Sequence, residues 1–229
     1  MKYKSTTLLL CALFTTKASA AVTATDLLSE ASIINTGGTV VSAVNLGATQ
    51  GGTPTADATV NGILHRVASA SNNGTGADLI PELTINSSFD GQYRNGANPF
   101  AGDLRNLIGG IAGRGAPGPL ALDVSGLSIG TTYLFQAYWE AGSNNNQTGT
   151  VTIEGESLAG INSSSTQLIS YTFDATDTEL NFELLKTSGN ENIWLSGYSL
   201  QEVPQAIPEP STFALLGLGG LALALRRRK

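Results

Sequence analysis

The 229-residue sequence predicts an all-β protein, an antiparallel two-sheet β-sandwich of jelly-roll type, and three observations predict it. Apolar residues alternate with polar ones at period two through four segments of the second half. Tyr133, Phe135, Ala137 and Trp139 share one strand face opposite Gln136 and Glu140, and Val151 and Ile153 alternate with Thr150, Thr152 and Glu154. Ile169, Tyr171 and Phe173 repeat the pattern, as do Leu180, Phe182 and Leu184 against Asn181 and Glu183. Turn-rich stretches at 142–149, 155–166 and 186–192 separate these runs at the spacing of antiparallel strands, with a last strand over 193–200. Composition agrees: charged residues are sparse at 13%, hydrophobic residues reach 41%, and the 27 glycines favour many turns.

In chain order, residues 1–20 come first, with Lys2 and Lys4, an apolar stretch centred on 8–14, and small residues at Ala18 and Ala20 where a signal peptidase would cut. This is the pattern of a signal peptide. Cys11, the sole cysteine, lies inside the apolar stretch, so the mature chain holds no disulfide and no thiolate metal site. A short helix is expected over 26–31 and a strand over the β-branched stretch 39–44. Asn61-Gly62, set between apolar residues, signals a tight hairpin turn, because both positions tolerate positive φ. A polar turn is expected at 71–78, a single helical turn capped by Asp103 within 101–108, and an irregular connection over 109–119. Gly130-Thr131-Thr132-Tyr133 has the form of a corner in which a tyrosine hydroxyl ties a connection to its strand.

The end of the chain differs from everything before it. Pro208-Glu209-Pro210 is followed by Ser211-Thr212, by an apolar run of Phe, Ala, Leu and Gly over 213–225, and by Arg226, Arg227, Arg228 and Lys229. A helix apolar on every side belongs in lipid, and at ~1.5 Å per residue this run spans only ~20 Å of a hydrocarbon core of about 30 Å. The four cations hold the cytoplasmic side and place the rest of the chain across the membrane. These three features in this order resemble the PEP-CTERM sorting signal of Gram-negative bacteria that make extracellular polysaccharide. The resemblance implies that a membrane-embedded exosortase reads and removes the tail, with Pro208, Glu209 and Pro210 as the recognition motif, 213–225 as the transient transmembrane helix and Arg226 to Lys229 as the stop. The chain then divides into a signal peptide (1–20), a β-sandwich domain (21–203) and a sorting tail (204–229). The stretch from Tyr133 through 171–178 to 198–204 also resembles the body domains that precede such tails. That likeness implies a galactose-binding-like or jelly-roll-like fold.

Charge narrows the partners. Three lysines fall in the leader and four cations in the tail, so all 18 acids face five bases between Ala21 and Leu225, a net of −13. Such a surface repels nucleic acid. His65, the single histidine, excludes a histidine metal cluster, and no Gly-x-Ser-x-Gly elbow or phosphate-cradling Gly-x-x-x-x-Gly-Lys-Ser/Thr occurs. Glu154 and Glu156 form a formal carboxylate pair, but turn charge accounts for them as well as glycosidase chemistry does. Asp174, Asp177 and Glu179 crowd one turn and offer oxygens suited to Ca2+. Tyr138, Trp139, Trp194 and Tyr198 are the aromatics available for stacking on sugar rings, with Tyr138 pointing away from the core by alternation. The expectation is a non-enzymatic protein of the cell envelope or extracellular matrix, exported by the secretion machinery and sorted by an exosortase. The alternative is a carbohydrate-binding module of the cell surface or exopolysaccharide matrix.

Overall fold

The computed structural model describes residues 21–46, 56–68, 80–86, 91–94, 100–108, 110–114, 118–139, 147–162, 165–189 and 193–205. Along the chain these form β1 (Thr23–Asp26), β2 (Val40–Asn45), β3 (Ala58–Val60), β4 (Ile63–Val67), β5 (Leu83–Ile85), β6 (Gly91–Arg94), α1 (Gly102–Ile108) and β7 (Gly110–Arg114). There follow β8 (Leu120–Ser125), β9 (Thr132–Trp139), β10 (Thr148–Ile153), β11 (Glu156–Asn162), β12 (Gln167–Asp174), β13 (Glu179–Ser188) and β14 (Ile193–Glu202). Two sheets result. The larger runs β1-β12-β9-β14-β2-β4-β3, with β7 beside the start of β14 and β6 beside β7; the smaller runs β11-β10-β13-β8-β5. Every pairing is antiparallel except β2 with β4.

The alternation of β9, β10, β12 and β13 turns one apolar face of each sheet toward the other. Phe135 of the larger sheet meets Phe182 of the smaller with ring centroids 5.4 Å apart and Tyr198 at 5.7 Å, and Tyr171 stacks on Phe173 at 5.3 Å. Each such side chain removed from water contributes about 1.5–3 kcal/mol, so this layer holds the sheets together. Trp139 is fully buried in it, and its ring lies over Gly149 of β10, where an added Cβ would stand 3.0 Å from the indole. Only glycine admits the ring at that point.

The larger sheet is also covered on its outer face. Tyr138, Leu168 and Ala43 project there and pack with Ile33, Val60, Ile63, Leu104, Leu107 and Ile108 from the segment after β1, the β3–β4 hairpin and α1. The hairpin turn is the expected one, with Asn61 at φ 46° and Gly62 at φ 78°. The tyrosine corner is also present: Ser128 N–H donates to Tyr133 Oη at 2.9 Å.

Several expectations for the elements need correction. Thr23–Asp26 is a strand, and only the 3-10 turn Glu30–Ser32 remains of the expected helix. β-branched Thr23 and Thr25 favour extension, and β12 satisfies their backbone groups. Asp103 does not cap α1; it lies in the first turn and its Oδ2 accepts from Thr59 N–H at 2.9 Å, tying the helix to β3. The connection 109–119 contains β7, and 155–166 contains β11, an edge strand whose largely exposed, small and polar side chains hide it from a search for alternation. β13 continues to Ser188, into the stretch expected to turn. The polar turn 71–78 lies outside the described residues. Among the described residues no helix is long and apolar enough to cross a membrane.

Candidate functional site

The chain leaves the sandwich from β14, which lies inside the larger sheet with β9 along one edge and β2 and β7 along the other. Past Glu202 the strand is still tied down: Glu202 N–H donates to Thr39 O at 2.8 Å, Thr36 Oγ1 donates to Glu202 O at 2.6 Å, and Val203 N–H donates to Thr132 O at 2.9 Å. Pro204 and Gln205 are exposed. β1 runs antiparallel to β12 from Thr23 opposite Ser170, so the chain before β1 enters from the end at which β14 leaves. That end is built from 36–39, the corner 126–131, the turn 175–178 and the β10–β11 turn.

Two glutamines on the outer face hold the segment between β1 and β2 against the sheet. Gln136 Oε1 accepts from Ile34 N–H at 3.0 Å; Gln201 Oε1 accepts from Thr36 N–H at 3.2 Å while its Nε2 donates to Ile34 O at 3.0 Å. Both side chains are fully buried, and the sequence signal for Gln136 is a polar residue at the outward parity of a strand otherwise apolar on both faces. Beside them the Tyr138 hydroxyl joins His65 Nε2 at 2.8 Å and Ser199 Oγ at 3.2 Å, and His65 Nδ1 meets Ile63 O at 3.0 Å. Burial lowers the His65 pKa to about 4, against the opposing pull of hydrogen bonds to the Ile63 and Ala58 backbone. Burial likewise pushes the Tyr138 phenol up, although its bond to Ser199 works the other way. A neutral imidazole and a neutral phenol, both sealed from solvent, make a packing network.

The aromatics considered for sugar stacking are all buried, Tyr138, Trp139 and Tyr198 fully and Trp194 at 7% exposure. Tyr138 does point away from the inter-sheet core, but α1 and the β3–β4 hairpin cover that face, so the expectation of an outward platform there is wrong. Two of the three acids at the turn after β12, Asp174 and Asp177, are engaged separately. Thr132 Oγ1 donates to Asp174 Oδ1 at 2.6 Å, and Glu179 N–H donates to Asp177 Oδ1 at 3.0 Å as in an ordinary Asx turn. Among the described residues no group of three His, Cys, Asp or Glu side chains is placed to hold a metal ion. Glu154 and Gly155 form the turn between β10 and β11, with Glu154 at φ 52° and its carboxylate accepting from Asn181 N–H at 2.6 Å. Ala18, Ala20, the motif Pro208, Glu209 and Pro210, the apolar run and Arg226 to Lys229 lie outside the described residues.

Residues 206–229 match the family model of the PEP-CTERM protein-sorting motif. The chain carries a PEP-CTERM sorting signal at that end. The PEP-CTERM tail is a substrate signal for exosortase and implies export and membrane anchoring. No curated protein matches the sequence. Among solved structures, the ANXUR1 extracellular domain from Arabidopsis thaliana is similar with a TM-score of 0.52 at 9% identity, over 75% of this chain and 51% of that one. β-Glucuronidase 2 from Bacteroides uniformis gives 0.46 at 12% identity over 71% of this chain and 18% of that one. The CBM35 from Cellvibrio japonicus Abf62 gives 0.32 at 15% identity over 51% and 82%. The PEP-CTERM chain thus spans about half or less of the first two structures, and at 9% identity its likeness to the ANXUR1 domain concerns the β-fold alone.

Proposed function

We propose that this is a non-enzymatic protein of the cell surface or extracellular matrix, exported behind the cleaved signal peptide 1–20, held briefly in the membrane by 213–225, and released or coupled when an exosortase processes the tail. The observation that carries this reading is the sorting motif at 206–229. Two prolines deny the segment helical hydrogen bonds, so a helix in the bilayer ends below them and Glu209 stands at the outer surface, where burial in lipid would be costly. The body is a jelly-roll, galactose-binding-like sandwich. Its cores are filled by its own aromatics, which supports a structural or adhesive part in a biofilm or exopolysaccharide matrix. Contact with exopolysaccharide would use surfaces other than Tyr138, Trp139, Trp194 and Tyr198, since these are buried.

The test compares wild type with Glu209→Gln and Pro210→Ala in hosts with and without an exosortase. The amide keeps the shape and loses the charge. Wild type is expected to shorten and leave the membrane only where the enzyme is present, while both variants are exported normally and accumulate as a longer membrane-bound form. Identical processing of all three would overturn the sorting reading.

A further inference from the structure

β1 lies at the edge of the larger sheet and pairs with β12, Thr23 opposite Ser170 and Asp26 opposite Gln167. Past it, Leu27 N–H donates to Thr166 O at 2.9 Å, and the amides of Gln136 and Gln201 hold the backbone of Ile34 and Thr36. Val22 is buried in the inter-sheet core, Leu27 and Ile33 in the outer one. The amides that grip Ile34 lie 102 and 167 positions further along the chain. Asn61 of the hairpin adds one bond, its Nδ2 donating to Ile33 O at 2.7 Å. Residues 22–36 are thus an arm, seated in a site that other parts of the chain build and that grips peptide backbone as well as three apolar side chains.

The arm ends at two glycines. Gly37 stands at φ 73° with nothing within 4 Å of an added Cβ, and at Gly38 an added Cβ would stand 2.3 Å from Glu202 O. Such a pair is free to re-aim the chain. The site tolerates no vacancy, since without the arm the buried amides lose their partners and the pockets of Leu27 and Ile33 open. The arm of a second copy fills it with the same contacts. What decides between them is the effective concentration of a chain's own arm, of millimolar order for a short linker, against the local concentration of copies. Chains collected on one cell surface raise the second term.

We propose that 22–36 is an exchangeable arm through which two copies of this chain pair reciprocally, each seating its arm on β12 and β14 of the other. Thr36 binds Glu202 O while Thr39 O accepts from Glu202 N–H, so three Cα steps, about 11 Å at most, must join the two copies. Exchange therefore pairs them through the ends from which β14 leaves. Their Glu202 carboxylates approach there, and physiological salt screens them over ~8 Å.

The proposal rests on removal of the leader 1–20, which frees the arm at Ala21. The mature chain has no cysteine, so a single engineered pair reports the arrangement. Two full-length chains of different tag size, one with Thr23→Cys and one with Ser170→Cys, are co-expressed in an exosortase-bearing host and run on non-reducing gels at physiological salt. Disulfide dimers of the mixed kind are expected to exceed like pairs by about threefold or more, because only an exchanged arm brings these two positions together. A chain carrying both changes shows that the pair can close. If it closes while the mixed chains stay unlinked, or if like pairs are as abundant as mixed ones, exchange is overturned. If it does not close, light scattering on the unsubstituted mature protein decides: a monomer at every concentration overturns exchange, and a dimer made more abundant by Gly38→Ala, which blocks the closed hinge, upholds it. Failure of the leader reading looks different, since N-terminal sequencing would then find residues before Ala21.

Discussion

His65 gives the domain an acid-sensitive point. Above about pH 6.5 the ring is neutral in both folded and unfolded chains; between there and about 4 the unfolded chain takes up a proton that the buried ring refuses. The unfolded state then binds more protons, so stability falls as pH falls through this window, by roughly 3 kcal/mol in all for a shift from 6.5 to about 4. His65→Gln is expected to flatten that slope. Urea denaturation of both proteins between pH 7 and 4.5 measures it, and parallel slopes would show that the imidazole is not the titrating group. The same residue shows how far sequence can be read: a single histidine excluded a histidine metal cluster but did not tell surface from interior, and the structure buries it against Tyr138, whose hydroxyl in turn meets Ser199.

At the scale of elements, the segment between β1 and β2 is held by the amides of Gln136 and Gln201 in addition to apolar contact. Gln201→Leu leaves Thr36 N–H and Ile34 O unsatisfied in a half-buried setting and should cost about 1–3 kcal/mol. Limited proteolysis should then cut first within 27–38 while the far-UV spectrum stays β; unchanged cleavage would mean that apolar packing alone holds the segment. β10, β12 and β13 were legible in the sequence because each has a clean apolar parity, and Tyr133 because the corner has a local signature. The outer layer was not legible as such. Tyr138, read as outward from alternation, sits in a run where Leu134, Tyr138 and the odd-numbered residues are all apolar, which is the mark of a strand buried on both faces. β7 and β11 escaped notice because glycines and small polar side chains carry no period; pairing with neighbours far along the chain makes them strands. The tail was legible because a sorting signal is read as sequence, with no need of a fold around it.

As a whole, the body closes two apolar cores and residues 21–205 hold no cysteine, so the fragment 21–205 is expected to fold as a soluble β domain without added metal. Its thermal midpoint should be the same with and without a chelator, and Asp177→Asn should change it little because that carboxylate serves a local turn. A midpoint that drops several degrees on chelation would restore the Ca2+ reading of Asp174, Asp177 and Glu179. Ending the fragment at Asn192 should abolish folding, since it deletes the strand that joins β9 to β2.

The position of β14 also decides how the domain bears load. Any pull on the tail enters at Glu202 and runs lengthwise along a strand gripped on both edges, by β9 over most of its length and by β2 and β7 in succession. The hydrogen bonds to these neighbours lie across the pull and are strained together, as in shear; they are not opened one after another as in a zip. If the domain is coupled at the cell surface through its tail, as proposed, tension from that attachment passes into the middle of its larger sheet.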